Sequence, residues 1–166
     1  MKEAVRILII EDSEDDASLL VEQIKQAGIR IEFKIISSKE GFLECLAQEE
    51  WDIILSDEKM PGFSGSEALK ILKESGLDIP FVLVSGIIPA DIGADVMYQG
   101  AKDFIKKDDI SRLIPIIQRE LDQKQIRDER EILLEKGDNF LFDSKIILAY
   151  MKGGKISKRV ETIMLL

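Results

Sequence analysis

The sequence predicts an α/β domain built as a doubly wound parallel sheet with helices on both faces. Five short stretches rich in Val, Ile and Leu alternate with five longer ones whose apolar residues recur at helical spacing. Helix start and stop signals fall between them. Such alternation with short connections favours parallel strands, each return to the same edge of the sheet being made by a crossover helix.

The elements follow in order. Val5–Ile10 reads as a buried strand, short, apolar and β-branched. Ser13 opens a helix, Asp16 three residues on completes a capping pattern, Ala17, Leu20, Val21 and Ile24 form its inner stripe, and Gly28 stops it. Ile31, Phe33 and Ile35 alternate along a second strand, Ile31–Ile36. Ser38 opens the second helix, with Phe42, Leu43, Leu46 and Ala47 expected inward. Asp52–Ser56 is the third strand, and Met60-Pro61-Gly62 is a turn signal. Ser64-Gly65-Ser66-Glu67 is a capping box before a helix over Ala68–Ser75. Pro80 precedes a fourth strand, Phe81–Ser85. A fourth helix is expected from about Pro89 to Gln99, with Gly100 as its stop. Lys102–Lys106 is the fifth strand. Ile110, Leu113, Ile114, Ile117 and Leu121 mark a fifth helix, whose Pro115 must lie in its first turns or bend it.

Residues 122–136 are nearly all polar helix formers and extend the fifth helix into solvent; residues 137–166 read as a small helical appendage. The division expected is therefore 1–124 for the domain and 125–166 for a polar helical extension with a short C-terminal appendage.

Composition narrows the function classes. Across 166 residues, 45% are hydrophobic and 33% charged, the balance of a soluble globular chain. The net charge is −9, of which residues 1–124 carry −10 and residues 125–166 carry +1. That excess argues against nucleic acid or an anionic membrane as main partner. The apolar run near the N-terminus is too short for a signal or membrane segment, and no membrane insertion is expected. Cys45 is the single cysteine, on the inner face of a helix, and reads as a buried structural thiol. The expected localisation is cytoplasmic. Histidine is absent, so Ser-His-Asp and Cys-His catalysis and histidine metal ligation are excluded.

The strand ends carry the chemistry. Residues just past the C-terminal ends of parallel strands converge in one crevice. Glu11 and Asp12 follow the first strand, Asp57 the third and Lys106-Lys107 the fifth, while Ser85 ends the fourth. Asp57 is the candidate nucleophile, attacking phosphorus through a carboxylate oxygen to give an aspartyl phosphate. Two anions meet in that reaction, so Mg²⁺ is the expected cofactor. Glu11, Asp12 and Asp57 are the candidate ligands, with the backbone carbonyl of Lys59 as a further one. Lys107 would pair with a phosphoryl oxygen and Ser85 would donate a hydrogen bond to another. Catalysis of this kind is positioning plus electrostatics.

These residues, within ILIIEDSEDD, SDEKMPGFSG, FVLVSG and GAKDFIKK, resemble the receiver domains of response regulators in two-component signalling, over about residues 4–124. The resemblance implies a flavodoxin-like five-stranded sheet of order 2-1-3-4-5 with five helices, here followed by a C-terminal helical extension. It implies Glu11 and Asp12 as the metal pair, Asp57 as phosphoacceptor, Ser85 as the hydroxyl that follows the phosphoryl group and Phe104 as an aromatic switch. Lys107 matches the family's lysine by its count from Gly100-Ala101, with Lys106 as fallback. The implied donor is a sensor histidine kinase or a phosphotransfer protein. The implied output is an unidentified protein that reads the face of the fourth helix, fifth strand and fifth helix.

One departure is Asp108, where receivers usually have proline with a cis bond. A cis non-proline bond costs about 3–4 kcal/mol, so Lys107–Asp108 is expected trans. GAKDFIKKDDISRLIPIIQREL looks like receivers attached to sensor or hybrid kinases. The chain is accordingly read as a receiver of a phosphorelay, with phosphorylation and autodephosphorylation at Asp57 and no separate effector enzyme. Two alternatives are a phosphorylation-independent interaction module and the N-terminal receiver of a longer sensor or hybrid kinase. An aspartate-nucleophile phosphatase of another family would need a second Asp where Lys59 stands. A monomer and a homodimer, through the polar extension or the fourth and fifth helices, both fit the sequence.

Overall fold

The structure is a computed structural model that describes residues 4–86 and 90–140. Its elements are β1 (Val5–Ile10), α1 (Glu14–Gln26), β2 (Ile31–Ile36), α2 (Lys39–Gln48), β3 (Ile53–Ser56), β4 (Lys59–Met60), β5 (Phe63–Ser64), α3 (Gly65–Ser75), β6 (Phe81–Ser85), α4 (Ala90–Tyr98), β7 (Asp103–Lys106), a 3₁₀ helix (Lys107–Arg112) and α5 (Leu113–Phe140). The main sheet has the order β2-β1-β3-β6-β7, which is 2-1-3-4-5 once the short β4–β5 hairpin is set aside. All of its pairings are parallel. Two compact units divide at Leu121 and Asp122.

Two apolar layers sandwich the sheet, and strand alternation assigns residues between them. Ile7, Ile9, Ile53, Leu55, Val82 and Val84 face the layer of α1 and α5. Leu8, Ile10, Ile54, Phe81 and Leu83 face the layer of α2, α3 and α4. The central strands are buried on both faces. β2 is at an edge and is mostly exposed.

Local chemistry sets the helix starts. Ser13, Ser38 and Ser64 are N-caps, their hydroxyls accepting from Asp16 N, Gly41 N and Glu67 N at 3.3, 3.1 and 3.1 Å. Gly28 closes the connection after α1 with φ at +79°, a conformation that suits glycine. Pro115 lies in the first turn of α5, where its missing N–H costs nothing.

The structure corrects the expected boundaries and faces in several places. In α2, Phe42 and Cys45 are buried, whereas Leu43 and Ala47 are exposed. Only Phe42 and Cys45 enter the apolar layer, with Leu46 packed against it, so the inner stripe is narrower than the run of apolar residues. The fifth helix does not start at Ile110: a 3₁₀ turn comes first, with Asp109 at non-helical φ −122° and ψ 44°. The β4–β5 hairpin was not foreseen, because two-residue strands carry no periodicity.

From Asp122 the helix continues with mostly exposed side chains, Gln125 Nε2 donating to Glu129 Oε1 at 3.1 Å. The appendage expected over 137–166 lies outside the described residues from 141 onward, and so does Pro89 at the expected start of the fourth helix.

Candidate functional site

The crevice is assembled by register. Ile10 pairs with Ser56, and Ser85 with Lys106, so Glu11, Asp57, Ser85 and Lys107 all emerge at one edge of the sheet. Asp57 N–H donates to Ile10 O at 2.8 Å and Glu11 N–H to Ile36 O at 2.9 Å, which ties both loops to the strand ends. Glu11 and Asp57 are buried, and Asp12 is exposed. One carboxylate oxygen from each lies within 4.8 Å of the others.

Lys107 reaches into this set. Its Nζ is 2.7 Å from Glu11 Oε2, 2.6 Å from Asp16 Oδ2 and 3.2 Å from Asp57 Oδ2. Its side chain is only 20% exposed. Burial alone would lower its pKa. Hydrogen bonds to Asp16 and Glu11 and the charges of Asp57 and Glu11 outweigh burial and raise it above 10.5, so the ammonium persists. Lys106 points outward from β7, exposed, and of the two lysines Lys107 is the one in the site.

Glu11 is held differently. Burial raises its pKa above 4.5, against the opposing hydrogen bonds from Lys107 and Ser13. Its Oε1 accepts from Ser13 N–H at 3.1 Å, which fixes the carboxylate at the entry to α1. Hard oxygen donors at this spacing, with one carboxylate already raised by burial, are the donor set that a divalent cation such as Mg²⁺ takes.

The loop after Asp57 is tied to its neighbours by hydrogen bonds. Asp57 Oδ1 accepts from Glu58 N–H at 2.7 Å. Glu58 is buried and turns toward α3, accepting from Ser66 N–H at 3.0 Å and Ser66 Oγ at 2.8 Å. Burial raises its pKa too, offset in part by Ser66. Gly65 fits where no larger residue does: a Cβ there would stand 2.5 Å from Leu83 Cδ1 and 2.6 Å from Asp57 O. Lys59 opens β4 with an exposed side chain and pairs with Ser64 across the hairpin.

Ser85 is buried at the end of β6. Phe104, opposite Leu83 on β7, is half-buried against the layer of Val96 and Ala101. The described residues hold no cis peptide bond, so Lys107–Asp108 is trans as expected. Sequence reading missed two residues. It took Asp16 only as part of a cap, although its carboxylate, in the first turn of α1, meets Lys107 Nζ. Glu58 carried no signal, since its role depends on the approach of α3.

A doubly wound sheet with an acidic, lysine-bridged crevice at its C-terminal edge defines the class. The model of the response regulator receiver domain family matches residues 7–118, and the chain belongs to that family. Among curated relatives, it is 29% identical over 126 residues to the phosphoglycerate transport system transcriptional regulatory protein PgtA of Salmonella typhimurium, covering 72% of this chain and 28% of that one. It is 32% identical over 101 residues to the DNA-binding transcriptional regulator NtrC of Proteus hauseri, covering 58% and 21%. The chain thus spans less than a third of the length of these relatives. Among solved structures, the signal receiver domain of a LuxO repressor protein from Vibrio parahaemolyticus matches with TM-score 0.70 at 20% identity, covering 77% of this chain and 98% of that one. FixJ-N matches with TM-score 0.63 at 26% identity, covering 72% and 95%.

The family confirms a two-component receiver. It does not support attachment to a sensor kinase in particular. The expected exclusion of nucleic acid finds no support either, since relatives include a protein named as a DNA-binding regulator. Among the described residues no helix is long and apolar enough to cross a membrane.

Proposed function

We propose that Asp57 accepts a phosphoryl group from a phosphohistidine on a partner kinase or phosphotransfer protein. The observation that carries this reading is Lys107 Nζ lying between Asp57 Oδ2 and Glu11 Oε2 at the mouth of three clustered carboxylates. A carboxylate oxygen of Asp57 attacks phosphorus, the P–N bond to the donor imidazole breaks, and its electron pair returns to the ring. Glu11, Asp12 and Asp57, with the Lys59 carbonyl, would hold Mg²⁺, which neutralises charge between nucleophile and phosphoryl group. Lys107 gives up part of its carboxylate contact to pair with a phosphoryl oxygen, and the Ser85 hydroxyl donates to another.

The signal then passes along β6 and β7. A shift of Ser85 toward the phosphoryl group vacates space that Phe104, half-buried on the neighbouring strand, can enter. Met97 and Tyr98 of α4 stand exposed nearby in sequence to this strand, Tyr98 at 94%, and offer an output protein an apolar surface. Residues 1–124 carry the phosphorylation and 125–166 form the extension. The setting proposed is the cytoplasm, where kinase and reduced Cys45 are compatible.

The test is intact-mass analysis after incubation with Mg²⁺ and acetyl phosphate. One phosphoryl group is expected on the wild-type chain, and none on Asp57→Asn or with EDTA. Incorporation into Asp57→Asn at full stoichiometry places the acceptor elsewhere. A wild-type chain that neither takes phosphate nor binds Mg²⁺ with beryllofluoride is an interaction module that has kept the fold.

A further inference from the structure

We propose that the open edge of the sheet, β2, pairs antiparallel with β2 of a second copy across a two-fold axis centred on Phe33. Among the described residues β2 has a strand partner on one side only, β1. The carbonyls of Arg30 and Ile36 accept from Val5 N and Glu11 N at 2.8 and 2.9 Å. Backbone polar groups alternate in direction along a strand, so residues 30, 32, 34 and 36 address β1. Ile31, Phe33 and Ile35 therefore turn their N–H and C=O groups away from the sheet.

The side chains of these three residues are apolar, and two are unusually exposed for residues of this kind: Phe33 at 40% and Ile35 at 41%. They border an open groove with Val21, Glu22 and Lys25 of α1, and Lys25 Nζ stands 5.3 Å from the centre of the Phe33 ring. On the opposite face Glu32 and Lys34 alternate with them. An edge strand usually avoids self-pairing by carrying like charges that meet their own copies. Here the order Glu32-Phe33-Lys34 does the reverse.

Only one register satisfies both backbone and charge. Centring the axis on Phe33 makes Phe33 exchange backbone hydrogen bonds with Phe33 of the second copy, and Ile31 with Ile35. In the intervening pairs each Glu32 faces a Lys34. An axis on Glu32 or Lys34 sets like charges opposite each other, and an axis on Ile31 or Ile35 runs off the end of the strand. Within one chain Lys34 Nζ is already 2.8 Å from Glu49 Oε1, and Glu32 Oε2 is 3.6 Å from Arg6 Nε. Pairing joins these ion pairs into one line across the axis. The interface is isologous. It joins two sheets into one and points their C-terminal edges to opposite ends, so both Asp57 sites stay open to a donor.

The test is sedimentation of the full chain over a range of concentrations. The wild-type chain is expected to dimerise. Glu32→Lys and Lys34→Glu each place like charges opposite each other twice, and each is expected to weaken the dimer at least about tenfold. In an equimolar mixture of the two variants, one chain brings two cations to the axis and the other two anions, and a heterodimer is expected. Hydrogen exchange on the wild-type dimer supplies a reading free of mutation: the amides of Ile31, Phe33 and Ile35 become protected as dimer forms. A wild-type chain that stays monomeric, a dimer both variants retain, a mixture no tighter than either variant, or amides still exchanging freely in the dimer overturns the proposal.

Discussion

The two ends of the central sheet both gather charge, but in different proportions. At the N-terminal end Arg6 and Lys34 meet Glu32, Glu49 and Asp52: Arg6 Nη2 lies 2.9 Å and Lys34 Nζ 2.8 Å from Glu49, and Arg6 N–H donates to Asp52 at 2.9 Å. That network sets two cations against three carboxylates, and all of its side chains but the buried Asp52 reach water. At the C-terminal end, among the described residues, Lys107 alone meets Glu11, Asp16 and Asp57, with Asp12 beside them, and Glu11 and Asp57 are buried. Surface pairs of the first kind contribute little to stability. A buried excess of one sign is costly unless something of the other sign joins it. The difference marks the C-terminal end as a place where a cation and a transferable charged group belong.

Removing a charged partner from each end sharpens that contrast. Lys107→Met leaves Glu11 and Asp57 buried without their ammonium, and is expected to lower stability by about 2 kcal/mol in metal-free buffer. A denaturant titration reads this as a lower midpoint at unchanged slope; an unmoved midpoint would mean that the carboxylates do not depend on Lys107.

The next largest effect is that of Mg²⁺. Glu11 has its pKa raised by burial, so its favourable contribution is full below its unfolded-state pKa, near 4.5, and is lost as pH rises through the raised value. The ionised carboxylate above that range is the form a cation stabilises. Mg²⁺ is therefore expected to raise the calorimetric melting temperature most at neutral pH, and progressively less as pH falls through the raised pKa of Glu11. A Mg²⁺ effect independent of pH over that window would break the argument.

The smallest effect is expected at the other end. Glu49→Gln removes the carboxylate shared by Arg6 and Lys34, yet both cations remain in contact with water and the melting temperature should not move measurably. A large drop there would erase the distinction between the two ends.

Much of this was legible in the sequence because it is locally encoded. Ser13, Ser38 and Ser64 announce their helices within four residues, and the acceptors at the strand ends follow from chain order in a parallel sheet. What escaped depends on residues distant in sequence. Asp16 reaches Lys107, 91 positions away, and Glu58 acquires its role only when Ser66 comes to meet it. Leu43 has the hydrophobicity of a core residue, but among the described residues its face of α2 is left exposed. The 3₁₀ turn at Lys107–Arg112 buries only Ile110, too little for apolar periodicity to report.

Trp51 is the chain's single tryptophan, buried two residues before β3, its indole N–H donating to Cys45 O at 3.1 Å and Arg6 standing 5.1 Å from the ring centre. At about 3.3 Å per extended residue it lies up to roughly 20 Å from Asp57, which follows the opposite end of β3. Its fluorescence is thus a reporter of global unfolding that ignores the crevice. Emission should redden when the fold is lost in denaturant and stay constant through a Mg²⁺ titration, so that folding and occupancy of the site can be followed separately in one cuvette.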